Sequence, residues 1–193
     1  MAVLYNSAPP PREQFRQGEV LGSLAELQFD ATQVSEETLR SPEPPAIWHI
    51  HPWVIILSPD CDLEWDHKAR LGQENIDTKT IAHVLLCDLE DLDALRQSNR
   101  VMQSRQQNLV VDNRDERYHH IPQAHTDSGA QLNEFFVDFK RTFSVPTDYL
   151  YALARQELVT RHGFLKAPWV QHLADRFTYF LGRVGLPDLD EPS

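Results

Sequence analysis

Glycine is scarce, with 7 in 193 residues. None sits in the Gly-rich loop that cradles a phosphate between a strand and a helix, so P-loop and dinucleotide-type sites are not expected. Cysteine is scarcer still. Cys61 and Cys87 stand in unlike contexts, form no Cys-x-x-Cys pair, and are expected to stay reduced. There is no His-Glu-x-x-His and no nucleophile elbow. No apolar run approaches the roughly 18–20 residues of a membrane helix. The first residues, Met1 to Ser7, lack a basic segment followed by an apolar one, so a cytoplasmic protein without a leader is expected, with no membrane contact. Positive charge is short as well: 18 Lys and Arg face 29 Asp and Glu, a formal net charge of −11. Nucleic-acid binding by bulk electrostatics is therefore disfavoured. A local basic groove remains open, because Arg96, Arg100, Arg105, Arg114, Arg117, Lys140 and Arg141 fall in mid-chain. The acidic runs Glu36-Glu37, Asp88 to Asp93 and Asp188 to Glu191 are read as solvated surface.

What is present is a 41% hydrophobic composition, enough for a real core. Its densest stretch runs from Trp48 to Leu63. Trp53 to Leu57 is apolar at every position, the pattern of a strand buried on both faces. Pro59 cannot donate to a ladder, so the strand should end near Ser58. Asp60, Cys61 and Asp62 follow at once, and His49 and His51 flank the strand's start.

Around this stretch the chain reads as follows. Gln17 to Leu21 is a first strand, and Leu24 to Phe29 a second or its continuation. Glu64 to Lys79 is a polar excursion with a short helix, and Thr80 to Leu86 another apolar strand. An acidic amphipathic helix is expected over Leu89 to Arg96 and a polar helix over Asn99 to Gln107. Arg117 to Ile121 is a strand ended by Pro122. Phe135 to Phe143 is a strand whose end alternates, with Val137, Phe139, Arg141 and Phe143 opposite Asp138, Lys140 and Thr142. A helix follows from Pro146 or Thr147 towards Glu157. A last helix carries Trp169, Val170, Leu173, Phe177, Phe180, Leu181 and Val184 on one stripe and stops at Gly185 and Pro187.

Three groups of residues could carry chemistry. Asp60 and Asp62, at a strand end, could hold a hard cation or act as acid and base, or else close a turn and pair with a basic residue. Cys61 between them is a poor nucleophile, since negative neighbours disfavour the thiolate, and is expected to pack as a small hydrophobe. His49 and His51, two apart, share a face of their strand. His119 and His120 point to opposite faces. With Cys61 they form a scattered possible zinc set, against which stands the reading of histidines hydrogen-bonded at a sheet edge. Asp138, Lys140 and Arg141 could bind phosphate or stabilise a cleaving phosphodiester, or form inter-strand ion pairs.

The segments Gln17 to Val20, Ser58 to Leu63, Arg117 to Pro122, Val137 to Pro146 and Phe177 to Pro187 resemble a family of uncharacterised bacterial proteins with a Ser-Pro-Asp-Cys-Asp-Leu motif. The layout is also similar to the PemK/MazF-type toxin barrel: a glycine-led first strand, the Pro52 to Pro59 strand ending in Ser-Pro, the Thr80 to Leu86 strand, and the charged Val137 to Thr142 strand leading into a helix. Where those toxins usually carry an arginine before the proline, this chain has His51. That resemblance implies an α+β fold in one domain, residues 1–193. Its expected parts are a small, strongly bent SH3-like barrel of five to seven strands (about 17–143) and a helical C-terminal layer (about 146–186) that includes a long amphipathic helix.

Two functions from different classes are implied. The first is a binding module, without cofactor, that contacts a protein or RNA partner in a bacterial defence, toxin–antitoxin or mobile-element setting. The alternative is a metal-independent endoribonuclease. In that case His49 or His51 would be acid or base, Lys140 and Arg141 would stabilise the phosphorane, and Asp60 or Asp138 would orient the histidine. A third reading is a metal-dependent hydrolase using Asp60, Asp62 and the histidines, with Cys61, His119 and His120 as further ligands.

Overall fold

The computed structural model describes residues 2–43, 45–92 and 104–183, with side chains from 108 onward in the last segment. Nine strands are β1 (Val3–Ser7), β2 (Glu19–Phe29), β3 (Ala46–Ile56), β4 (His83–Asp91), β5 (Tyr118–Ile121), β6 (Ala124–Thr126), β7 (Gln131–Leu132), β8 (Phe135–Pro146) and β9 (Thr160–Leu165). Among the described residues the α-helices are α1 (Glu36–Leu39), α2 (Asp60–Arg70), α3 (Ile76–Lys79), α4 (Ser104–Val111), α5 (Thr147–Arg155) and α6 (Trp169–Leu181). All strands join one mixed sheet in the order β5-β8-β4-β3-β2-β9-β1-β6-β7, antiparallel except for β1 against β6. No ladder among the described residues joins β5 to β7, so the sheet is open. The strand count exceeds the expected five to seven because β1, β6, β7 and β9 lie in segments with no strand signature strong enough to read.

The apolar run of β3 feeds two cores, one on each face. Ile55 and Leu57 pack with Val20, Cys87, Val137, Phe139 and Leu173 of α6. Val54 and Ile56 pack with Leu21, Leu63 of α2, Val84, Leu86 and Leu150 of α5. Each such side chain contributes about 1.5–3 kcal/mol on burial, so this central alternation fixes the register of the middle strands. Helices α2 and α5 thus cover one face and α6 the other.

The Ser58-Pro59-Asp60 turn is a structural junction. Ser58 Oγ accepts from the Leu85 amide at 2.8 Å, and the Asp60 carboxylate takes the Arg16 guanidinium (2.6 and 2.8 Å) and the Gln17 amide (3.1 Å). Asp60 and Asp62 occupy the first turn of α2, where negative charge is favoured. The excursion after Glu64 is therefore mostly helical. Cys61 is exposed rather than packed, and the buried thiol is Cys87.

Three further expectations are corrected or limited. Leu89 belongs to β4, which runs on to Asp91, and not to a helix. Residues 93–96 of the expected 89–96 helix and 99–103 of the expected 99–107 helix lie outside the described residues, as do Val184, Gly185 and Pro187. On α6 only Leu173 is buried. Val170, Phe177 and Phe180 are half-buried against the core, while Trp169 and Leu181 are exposed.

β2 and β3 pair over their whole length, from Val20 opposite Ile55 to Phe29 opposite Ala46. Their other neighbours leave early. β9 pairs β2 only at Glu19 to Gly22, and β4 pairs β3 only at Val54 to Ile56. Residues 24–29 and 46–51 therefore form a two-stranded arm that extends past the rest of the sheet. Ser23 marks its root with φ of +58°, and Leu21 and Leu24, three apart, both enter the same core there.

Candidate functional site

The densest polar cluster lies at that root. The His51 ring is 4% exposed and stacks on Phe143, centroids 4.1 Å apart and 8° from parallel. Its Nδ1 lies 2.6 Å from Asp88 Oδ1 and its Nε2 3.1 Å from Glu26 Oε2. Arg141 lies 2.7 Å from the other oxygen of Asp88 as an ion pair and donates to Glu90 at 2.5 Å. His49 meets the His51 ring edge-on at 4.4 Å, as the shared face of residues two apart requires. Burial alone would lower the His51 pKa, but the hydrogen bonds to Asp88 and then Glu26 outweigh it, and the net shift is upward.

A wide bulge in β8 builds this arrangement. Thr142 pairs with Cys87 and Val137 with Leu89, so residues 138–141 stand opposite Asp88 alone. The expected alternation breaks there: Val137, Asp138 and Phe139 are all buried, and Lys140 and Arg141 both turn outward. Arg141 folds back over Asp88, whereas Lys140 stays exposed.

The other sequence-selected residues lie elsewhere. Asp138 is 2% exposed and is held by Arg117 in a two-pronged pair, not by His51; its backbone oxygen faces the Cys87 thiol at 3.0 Å. Asp60 pairs with Arg16 at the start of α2 and makes no bond to His51. His119 and His120 do point apart. His119 is buried beside His172 and is held down to about 3, chiefly by burial and then by His172 and Arg176. His120 bonds Glu134 at 2.7 Å and faces the Val111 oxygen at 3.1 Å. Asp60, Cys61 and Asp62 are on α2 and His119 and His120 on β5, so this proposed ligand set is spread over two elements. Among the described residues no group of three His, Cys, Asp or Glu side chains is disposed to hold a metal ion. Of the mid-chain cations, Arg117 and Arg141 are engaged by carboxylates, Arg114 and Lys140 are exposed, and Arg96, Arg100 and the Arg105 side chain lie outside the described residues.

Chemically, the His51 cluster is closed. Both ring nitrogens are occupied and the ring has almost no exposed surface, so it serves to brace the strands around it. Sequence reasoning missed Glu26, Asp88 and Glu90. Asp88 was assigned to a solvated acidic run, yet it is 8% exposed. Its partner is 37 residues away, and no local pattern signals that pairing.

The arm above this brace is two-faced. Glu26, Gln28, Ile47, His49 and His51 share one face, polar but for the exposed Ile47. Ala25, Leu27, Phe29, Ala46, Trp48 and Ile50 share the other, with Leu27 directly opposite Trp48 and Ala25 opposite Ile50. That wholly apolar face is in solvent: Trp48 is 62%, Leu27 57% and Ile50 54% exposed.

No protein-family model matches this chain, and no curated protein matches its sequence. The functional argument therefore rests on the geometry.

Proposed function

We propose that this protein is a binding module that grips a protein partner with the apolar face of its β2–β3 arm. The observation that carries this reading is the contiguous exposure of Leu27, Phe29, Trp48 and Ile50 on one side of two paired strands. Surfaces of this kind mark association sites, and Trp is a frequent anchor of them. Charge selects among occupants. From Leu24 to His51 the sequence carries Glu26, Asp30, Glu36, Glu37 and Glu43 against Arg40 alone, and Arg40 is paired with Glu36 at 2.6 Å. An acidic border repels nucleic acid and a second copy of the same arm. It suits an extended segment with alternating apolar and Lys or Arg side chains.

The enclosure of His51 and the engagement of Arg141 favour this reading over an RNA-cleaving one. The setting, a bacterial defence, toxin–antitoxin or mobile-element system, rests on the resemblance alone. The same resemblance suggests relating the bent strands β2, β3, β4 and β8 to an SH3-like barrel; the Ser23 kink and the β8 bulge support this, as devices that curve a sheet.

The test uses fluorescence anisotropy of two labelled peptides, one alternating Val with Lys and one alternating Val with Glu. The Lys peptide should bind at least about tenfold more tightly. Trp48→Ser should abolish that preference while leaving the melting temperature within a few degrees, because Trp48 is already exposed. Equal binding of both peptides, binding indifferent to Trp48→Ser, or concentration-dependent dimerisation through the arm would each overturn the proposal.

A further inference from the structure

The sheet face opposite α6 carries a second feature, independent of the arm. A cleft of about 240 Å³ opens between the ends of α2 and α5, lined by Arg12, His67, Arg70, Leu71, Tyr151 and Arg155. In a chain of net charge −11, three guanidiniums and an imidazole converge on one small hollow. Cations at helix C-termini are favoured by the helix dipole, which accounts for His67 and Arg70 in the last turn of α2 and Arg155 in that of α5. It does not account for Arg12, which comes from the segment between β1 and β2.

The three arginines differ. Arg70 is already neutralised: it bonds buried Asp66 at 2.7 Å and also Asp148, and its guanidinium lies 5.4 Å from the centre of the Tyr151 ring. It is a fixed, flat cation. His67 extends this flat surface, its ring 29° from that of Tyr151 and its Nδ1 3.4 Å from the Tyr151 hydroxyl. Arg12 and Arg155, by contrast, are exposed and have no acidic partner among the described residues. Two free cations at the mouth of a hollow whose wall is Leu71, Tyr151 and a stacked guanidinium present two chemistries together. One fits a dianion and the other a planar ring.

We propose that this cleft binds a nucleotide, its base stacked on the Arg70–His67 surface and its phosphate held by Arg12 and Arg155. The volume lies just below the roughly 300–1,000 Å³ usual for small-molecule sites, so it accommodates a single nucleotide unit. That unit could be a free nucleotide or one residue of a single strand, since stacking plus phosphate contact serves both.

Calorimetric titration with AMP, adenosine, inorganic phosphate and a hexamer of uridylate tests this. AMP should bind one to one, about tenfold or more tighter than adenosine or phosphate, and weaken as salt rises. The double variant Arg12→Gln, Arg155→Gln should weaken AMP by about tenfold or more, since both side chains are exposed and unpaired and the fold does not depend on them. Tyr151→Phe keeps the ring and should keep the binding within a few-fold. AMP binding more tightly than the hexamer identifies a free nucleotide as the source; the reverse order identifies a single strand. If neither binds, if phosphate alone equals AMP, or if the double variant binds as well as wild type, the proposal is overturned. None of these outcomes bears on the arm, because the peptides are tested separately.

Discussion

Replacing Asp88 with asparagine probes the brace at the arm's root with almost no change in shape. Asp88 bonds His51 at 2.6 Å and forms an ion pair with Arg141 at 2.7 Å. The hydrogen bond to a charged group contributes about 1.5–3 kcal/mol and the ion pair up to about 1 kcal/mol. The Arg141 half is discounted, because its side chain is 43% exposed and retains Glu90. Asparagine also keeps one acceptor oxygen. The expected loss is thus about 2–3 kcal/mol, or about 4–12 °C in melting temperature for a chain of this size. The change carries a pH signature. The folded pKa of His51 is raised, so its contribution is complete below the unfolded value of about 6.5 and fades as pH rises through the folded value. Wild type should lose stability as pH rises above the unfolded value of His51, and Asp88→Asn should show a flatter slope there. Urea unfolding followed by tryptophan fluorescence measures both, since Trp53 packs against Phe135 and His162. A variant within about 0.5 kcal/mol of wild type at the acid end, or one with an unchanged slope, would refute the role assigned to Asp88.

Three further substitutions test the frame. His119 is kept neutral by burial, with a folded pKa of about 3, so stability is present above the unfolded value of about 6.5 and is lost as pH falls towards the folded one. His119→Phe should therefore move the acid unfolding midpoint, followed by circular dichroism, to lower pH; an unmoved midpoint counts against the argument. Gly163 has φ of +146°, and a Cβ there would lie 2.5 Å from the Asn6 oxygen, so Gly163→Ala should cost about 2–4 kcal/mol by separating β1 from β9. Gly129→Ala has φ of +88° and open space around it, so it should cost only about 1 kcal/mol, and equal losses in thermal melts would contradict the steric account.

The parts of the fold that can be read from sequence are those whose signal is local. The unbroken apolar run of Trp53 to Leu57 announces a strand buried on both faces, and its side chains do enter two cores. Pro146 with the apolar residues after it marks α5, and the stripe from Val170 to Phe180 marks α6. β9 stayed hidden because Arg161, His162 and Gly163 break up any strand pattern in Thr160–Leu165. They are held by partners far along the chain, notably Arg161 against buried Glu19 and the carbonyls of Pro10, Glu13 and Gln14. The site divides the same way. The two-residue spacing of His49 and His51 correctly places them on one face. That Asp88 rather than Asp60 or Asp138 would meet His51 depends on the β3–β4 ladder and the β8 bulge, and both are long-range features.

The brace also explains why the arm turns its apolar face to water. In a two-stranded ribbon with alternating character, one face or the other must point away from the body, and a slip of one residue exchanges them. Packing alone would turn Leu27, Trp48 and Ile50 inward. The opposite face, however, carries Glu26 and His51, and these are committed to Asp88 and through it to Arg141. Removing one partner from such a buried charged cluster costs about 3–5 kcal/mol, which adds to the burial of Val54 to Leu57 that already fixes the register of these strands. Together they hold the ribbon in the register that keeps its apolar side outward. An exposed edge of this kind is an aggregation hazard in an isolated molecule. A polar brace that enforces the exposure makes physical sense only if that face is covered in use, which is the physical core of the case for a docking arm.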